Sequence, residues 1–111
     1  MQTISSQKHG RAETAAEFLS AMANPKRLLI LSSLVNEEMA VGALATQVGL
    51  SQSALSQHLS KLRAQNLVTT RRDAQTIYYS SSSDAVLKVL STLKEIYGDE
   101  ASEKPQQRRT A

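Results

Sequence analysis

One stretch near the middle of the chain is rich in side chains that could bind nucleic acid. Hydroxyl, amide, imidazole and basic groups recur between positions 51 and 63, and no carboxylate lies among them. Amides and hydroxyls hydrogen-bond to base edges, whereas lysine and arginine bind phosphates. We predict that the following residues contact DNA: Ser51, Gln52, Ser53, Ser56, Gln57, His58, Ser60, Lys61 and Arg63.

The distribution of charge supports this interpretation. The chain has 111 residues, with 13 Lys and Arg against 10 Asp and Glu, and a formal net charge of +3. Positions 39 to 72 together carry +4, whereas the remainder of the chain carries −1. The charged residues of this acid-free segment are Lys61, Arg63, Arg71 and Arg72. A basic segment without acids favours contact with phosphates.

Two kinds of side chain in this stretch support sharper hypotheses. A glutamine amide can pair with adenine N6 and N7 or, after rotation, donate to thymine O4, so Gln52 or Gln57 could tolerate both bases at one position. His58 has two interpretations, because its ring either reaches a phosphate from the flank of its helix or packs at the turn. It is not an obvious metal ligand, since His9 is the only other histidine.

The apolar spacing places the stretch on a helix within a helix-turn-helix. The residues expected to face inward are Leu55, Leu59 and Leu62, and Ser51 is the predicted N-cap. A short helix from about Val41 to Val48 precedes it, and Gly49 ends that helix in the left-handed conformation. A helix-turn-helix inserts its second helix into the major groove.

Two further helices are expected upstream and a hairpin downstream. Residues 12–23 have helical apolar spacing, and Asn24 followed by Pro25 is typical of a helix start. Beyond Asn66, β-branched and aromatic residues in 67–71 and 76–80 predict two strands joined by a short polar turn. This hairpin is a wing whose predicted DNA contacts are Arg71, Arg72 and Gln75.

The last helix, from Asp84 to about Tyr97, has apolar residues on more than one face. A single small core does not need so wide an apolar surface, so we expect part of it to meet a second subunit. The predicted dimer interface consists of Phe18, Leu19, Met22, Val86, Leu90, Leu93 and Tyr97. Residues 12–98 thus form one domain, and 1–11 and 99–111 are expected to be flexible tails.

The composition excludes several classes of protein. The absence of cysteine removes disulfides, thiolate zinc sites and thiol redox switches. The longest apolar run, residues 28–31, is far short of the roughly 20 residues that cross a bilayer, and the polar start lacks a secretion signal. Without a membrane-spanning run or a secretion signal, we expect a cytoplasmic protein. No catalytic or cofactor motif is present, so we also expect that the protein is not an enzyme and needs no cofactor.

Short segments along the chain resemble the ArsR/SmtB family of winged-helix repressors. They are Asn24-Pro-Lys-Arg-Leu-Leu-Ile-Leu, Val41-Gly-Ala-Leu-Ala, Leu50-Ser-Gln-Ser-Ala-Leu-Ser-Gln-His-Leu-Ser-Lys-Leu-Arg, Asn66-Leu-Val and Thr76-Ile-Tyr-Tyr. The resemblance implies a mainly α fold with a β-hairpin wing, in the order α-α-α-α-β-β-α. It also implies a homodimer, joined through its first and last helices, that binds an imperfect palindrome and blocks transcription. At Asn66 the family usually has glycine, and both residues tolerate the left-handed conformation.

The chain departs from this family at the positions that sense metals. Members that sense thiophilic metals have cysteines at the start of the third helix, where this chain has residues 39–43 without any. Members that bind zinc between the last helices use positions that correspond to Asp84, Val86, Tyr97 and Glu100. Both histidines of that set are missing, so no metal is expected. The chain resembles a rhizobial member that represses nodulation genes and lacks known sensor cysteines.

Two other functions compete with a repressor that lacks a metal site. The chain could be a metal or small-ligand sensor with a non-standard effector site, for which His9, Asp84 and Glu100 are the candidate hard-metal ligands. It could also be a protein-interaction or antirepressor module that uses the winged helix without DNA. The acid-free segment argues against the second alternative.

Overall fold

The computed structural model describes the backbone of residues 2–98 and the side chains of residues 10–98. This part of the chain is mainly helical and carries a small antiparallel sheet, which confirms the predicted winged helix-turn-helix class. The predicted tail at 99–111 lies outside the described residues. The elements in chain order are α1 (Gln2–Met22), α2 (Pro25–Asn36), β1 (Met39–Ala40), α3 (Val41–Val48), α4 (Gln52–Ala64), β2 (Thr69–Asp73), β3 (Thr76–Ser80) and α5 (Asp84–Tyr97).

Side-chain caps begin three of the helices where the sequence indicated. Asn24 Oδ1 accepts hydrogen bonds from the backbone N–H groups of Lys26 at 2.9 Å and Arg27 at 3.1 Å, and Pro25 occupies the first turn. Ser51 caps α4 and Ser83 caps α5 in the same way, each through its hydroxyl. These bonds satisfy amide donors that have no partner within the helix, and so they set where each helix starts.

Helix α1 begins earlier than the apolar spacing predicted. The pattern placed its start near Ala12 and assigned 1–11 to a tail, whereas the helix runs from Gln2. The reason is that helical hydrogen bonds are local and need no apolar face, and the upstream stretch contains good helix formers such as Arg11. Side chains 10–17 are exposed, and packing begins at Phe18. The flexibility of 1–11 stays a prediction.

The turn between α3 and α4 is closed from two sides. Gly49 has φ +73°, the left-handed conformation that glycine adopts without strain, as the sequence predicted. The Lys26 ammonium group donates a hydrogen bond to the carbonyl oxygen of Val48 at 2.7 Å. Lys26 lies in the first turn of α2, so this bond ties α2 to the end of α3, next to the turn that leads into α4.

The core lies where α2, α3, α4, the wing base and α5 meet, and its largest fully buried residues are Ile30, Leu31, Leu34, Leu44, Leu55, Leu59, Leu62 and Val86. Met22 is also buried, with 2% of its surface exposed. The prediction that Met22 and Val86 belong to a dimer interface is therefore corrected, because contacts within the chain already cover both side chains. No helix of residues 2–98 has the length and apolarity needed to span a membrane.

The sheet has a third strand that the sequence pattern did not predict. Met39 pairs with Tyr79 and Ala40 with Tyr78, so the strand order is β1-β3-β2. A run of two residues has no periodicity of its own, and its extended shape depends on its partner strand. This pairing places Glu38, the residue just before β1, beside the wing.

The hairpin is shifted relative to its prediction. Strand β2 covers Thr69–Asp73 rather than 67–71, and the turn is only Ala74-Gln75. Ala74 has φ +58°, which fits the two-residue turns that match the twist of paired strands. Leu67 and Val68 are buried in the core instead, where they lie between Asn66, at φ +59°, and the start of β2.

Candidate nucleic-acid interface

Helix α4 has a buried side and an exposed side that carry different residue types. Leu55, Leu59 and Leu62 are at most 1% exposed and anchor it in the core, as predicted. The predicted contacts on the opposite side that are exposed are Gln52, Ser53, Ser56, Gln57, Ser60, Lys61 and Arg63, together with the cap Ser51. The structure thus places these donors and acceptors on the accessible side of one helix, a surface we call the α4 outer face.

His58 differs from the other predicted contacts because its ring is half-buried and engaged. Arg27 Nε donates a hydrogen bond to His58 Nδ1 at 3.2 Å. A guanidinium group cannot accept a hydrogen bond, so Nδ1 carries no proton and the ring proton is on Nε2. The Nδ1 side of the ring is thus occupied by a contact within the chain. Contact of Nε2 with a phosphate is untested by this geometry.

The surroundings of His58 favour its neutral form. Partial burial, followed by the charges of Arg27, Lys61 and Lys26, lowers the pKa of the imidazole below its ordinary value of 6.5. Each cause acts against the imidazolium, because burial removes water from the charge and three cations repel it. His58 therefore adds no positive charge to the α4 outer face at neutral pH.

Arg27 was not among the residues predicted to form the site, yet it connects α2, on which it lies, to α4 and to α1. Besides its bond to His58, its guanidinium Nη1 donates to the carbonyl oxygens of Ala21 at 2.9 Å and Ser20 at 3.4 Å, near the end of α1. The sequence placed Arg27 in the first turn of the helix that begins after Asn24, but it did not indicate a role in the site. The partners of Arg27 could not be predicted, because they lie on α1 and α4 and the contact depends on how these helices pack against α2.

The two arginines of the wing have different surroundings. Arg71 forms a two-pronged ion pair with Glu38, with Nε to Oε2 at 2.7 Å and Nη2 to Oε1 at 2.8 Å. Its guanidinium carbon also lies 4.5 Å from the centre of the Tyr78 ring. Within residues 10–98 the Arg72 side chain has no hydrogen bond or ion pair, and Gln75 is exposed at the turn. Arg72 is therefore the wing arginine that is available to a phosphate.

The Glu38 ion pair changes the electrostatics derived from the linear sequence. The hydrogen bond from Arg71 holds the pKa of the Glu38 carboxyl below its usual value, and the pKa of Arg71 is raised by the same bond. Glu38 precedes the acid-free segment in sequence, but the pairing of β1 with β3 brings it to the wing. One of the four positive charges of that segment is thus locally compensated.

Exposed apolar side chains lie on α1 and α5, the helices of the predicted dimer interface. Leu19 is 52% exposed and Tyr97 62% exposed, and their place in a dimer interface stays a prediction. Phe18, Leu90 and Leu93 are partly buried against the chain's own core or in a groove of about 210 Å³ between α2 and α5. The prediction missed Leu87 and Ile96, which are also exposed.

Of the three candidate metal ligands, the structure describes only the side chain of Asp84. No group of three or more His, Cys, Asp or Glu residues that could hold a metal ion occurs in the part of the chain that the structure describes. Asp84 is the first residue of α5, where a carboxylate suits the helix dipole. The side chains of His9 and Glu100 lie outside the described residues.

Comparison with known proteins identifies the family. Residues 24–70 match the model described as "Bacterial regulatory protein, arsR family". The chain is 75% identical to the nodulation protein NolR of Rhizobium meliloti over all of its length and 93% of that protein. It superposes on the crystal structure of NolR from Sinorhizobium fredii with a TM-score of 0.81 and 83% identity, over 83% of this chain and 92% of that one.

A more distant structure shows the same architecture. The homodimeric winged helix-turn-helix DNA-binding domain of a possible ArsR-family regulator from Mycobacterium bovis superposes with a TM-score of 0.74 and 27% identity, over 89% of this chain and 92% of that one. The fold, the α4 outer face and these similarities agree, and the chain belongs to the arsR family of bacterial regulatory proteins.

Proposed function

We propose that this chain is a transcriptional repressor that binds double-stranded operator DNA as a homodimer through α4 and the wing. The observation that carries the proposal is the α4 outer face, where exposed hydroxyl, amide and basic side chains stand opposite a row of buried leucines. Rigid anchoring matters because base-edge hydrogen bonds require side chains at defined positions. The similarity to nodulation proteins supports nodulation genes as the targets.

Each part of the surface has a role in this proposal. Gln52, Ser53, Ser56 and Gln57, in the first turns of α4, read base edges in the major groove. Ser60, Lys61 and Arg63 lie further along and bind the phosphate backbone, while Arg72 and Gln75 bring the wing to the DNA. The proposal places the chain in the cytoplasm, where a bacterial operator lies.

The proposed dimer determines what the operator looks like. Two copies related by a two-fold axis present two α4 helices, which read half-sites about one helical turn, or a multiple of it, apart. The exposed apolar residues of α1 and α5 support these helices as the contact between copies. The operator is therefore an imperfect palindrome.

The direct test is selection of bound fragments from random and genomic DNA with the purified full chain. The expected result is one palindromic site, bound at least about a thousandfold more tightly than unrelated DNA of equal length. Enrichment without a shared sequence, or no enrichment, would count against the proposal. A gene carrying the selected site upstream should be expressed more strongly when the protein is deleted, and lower expression would indicate an activator instead.

Lys61 and Lys88 provide a matched pair of variants for the phosphate contacts. Both are exposed lysines on helices, but Lys61 is on α4 and Lys88 is on α5. Lys61→Ala should weaken binding to operator and unrelated DNA alike and should lower the slope of log K against log salt by about 0.9 per protomer. Lys88→Ala should change neither quantity.

A further inference from the structure

We propose that Arg27 and His58 form a contact that positions the recognition helix α4 against α1, so that His58 acts on DNA through Arg27 and not by binding a phosphate. This inference rests on the proposed function. It adds a positioning pair outside the α4 outer face and decides between the two interpretations of His58.

The side chains of Arg27 and His58 are in direct contact. His58 lies on α4 and is half-buried, and its Nδ1 accepts from Arg27 Nε at 3.2 Å. The same guanidinium donates through Nη1 to the carbonyl oxygens of Ala21 and Ser20. Carbonyl groups at the end of a helix lack partners within the helix, so Arg27 joins the open end of α1 to the middle of α4.

The contact constrains the orientation of α4. The buried leucines anchor α4 in the core by apolar packing, which is not directional. A hydrogen bond between a planar guanidinium and a planar ring is directional, and it weakens steeply when the angle changes. The Arg27–His58 bond therefore fixes the rotation of α4 about its axis. This rotation sets the direction in which Gln57 and its neighbours point.

The contact requires a neutral His58 ring. Arg27 offers only donors, so the bond exists only while Nδ1 lacks a proton. The charged groups near the ring are Arg27 and Lys26 on α2 and Lys61 on α4 itself, and all three are cations. On α1, Glu17 lines a groove with Arg27 and Lys61 and is the acid on that side. A neutral ring is the form that these surroundings favour.

Two substitutions of His58 separate its two nitrogens. In His58→Asn the side-chain oxygen lies near the position of Nδ1 and can still accept from Arg27. In His58→Gln the amide reaches the position of Nε2 and can still donate to a phosphate, but it leaves Arg27 without its acceptor. The comparison uses the dimer, the selected operator, and unrelated DNA of equal length at about pH 7.5.

The expected result is that His58→Asn keeps the ratio of operator to unrelated-DNA affinity within about twofold, whereas His58→Gln and His58→Ala each lower that ratio about tenfold. Binding to unrelated DNA should change little in all three variants, because phosphate contacts tolerate a small rotation of α4. Retention by Gln with loss in Asn would overturn the proposal in favour of a direct phosphate contact. An equal response of all three variants would also overturn it.

A measurement without DNA tests the same contact in the unmodified protein. The ¹⁵N chemical shifts of the His58 ring at pH 7.5 should show an unprotonated Nδ1 and a protonated Nε2. Arg27→Gln should raise the pKa of His58, because it removes a nearby cation, and Lys88→Ala should not change it. A protonated Nδ1 in the unmodified protein would overturn the proposal, and this result does not depend on whether the variants fold. Failure to find any operator would instead overturn the proposed function, and the ring measurement would still test the Arg27–His58 contact.

Discussion

At the scale of single residues, the Glu38–Arg71 ion pair shows why the charge of a segment can differ from the charge of a surface. Positions 39–72 contain no acid, but a two-residue strand places Glu38 against the wing. The sequence predicted a DNA contact for Arg71 from its position in a basic hairpin, but nothing in the sequence indicated that the Glu38 carboxylate would reach Arg71.

We predict that Glu38→Gln strengthens binding to DNA. The substitution removes the carboxylate that holds Arg71, so that a fourth positive charge joins Lys61, Arg63 and Arg72 near the phosphates. Affinity for unrelated DNA at about 50 mM salt should rise about threefold, and the salt slope should steepen by about 0.9 per protomer. Glu37→Gln is the matched control, since Glu37 is the neighbouring exposed acid. An unchanged salt slope in Glu38→Gln would show that Arg71 does not reach the DNA.

Gln57 is expected to determine base preference at one operator step. Its amide is exposed on the α4 outer face and can serve either adenine or thymine. Gln57→Ala should flatten the preference at that step and leave affinity for unrelated DNA within about twofold. Competition among operators that differ at each position measures this, with Gln47→Ala on α3 as control. If the order of operator affinities were the same in Gln57→Ala, the hypothesis would be wrong.

The state of His58 predicts how stability depends on pH. Its folded pKa is below 6.5, so the unfolded chain binds a proton more readily than the folded one. The stability that His58 contributes is present above pH 6.5 and is lost as the pH falls through 6.5 toward the folded pKa. Urea unfolding at about pH 7.5 and pH 5 should therefore show a larger loss on acidification in the wild type than in His58→Asn. Equal losses in the two proteins would contradict this sign.

At the scale of helices and strands, local chemistry explains which features could be predicted. Asn24, Gly49 and Ser51 set helix ends through their own backbone or side-chain geometry, so their roles were visible in the sequence. Strand β1 and the ion pair of Arg71 depend on partners far along the chain, and neither has a local signal. The early start of α1 was not predicted because a helical segment without a buried face shows no apolar spacing.

Asn24 offers a test of this view of the caps. Its side chain accepts from the amides of Lys26 and Arg27, the two residues of α2 that tie α3, α4 and α1 together. Asn24→Ala should lower the free energy of unfolding by about 1 kcal/mol, within a range of about 0.5–2. Asn24→Asp keeps an acceptor and should lose much less. Urea denaturation provides the measurement, and equal losses for Ala and Asp would argue that the cap bonds contribute nothing.

At the scale of the whole molecule, the apolar residues of α1 and α5 connect stability to function. Leu19, Ile96 and Tyr97 are each more than half exposed, on the first and last helices of the described chain. A small domain gains stability by covering such residues, and a repressor that reads a palindrome needs a two-fold axis. One contact between copies would serve both needs.

Leu19→Glu is the variant that tests this contact. The side chain is 52% exposed, so a carboxylate there should leave the fold of the single chain intact, but in the dimer it would be buried without a partner. The dissociation constant of the dimer, measured by sedimentation, should rise at least about a hundredfold, since a buried unpaired charge costs several kcal/mol. Operator affinity should fall with it, because two α4 helices no longer bind as one unit. Thr46→Glu, on the exposed side of α3, should leave the oligomeric state unchanged. If Leu19→Glu remained a dimer of unchanged affinity, α1 would not form the interface, and the palindrome would have to be read through another contact.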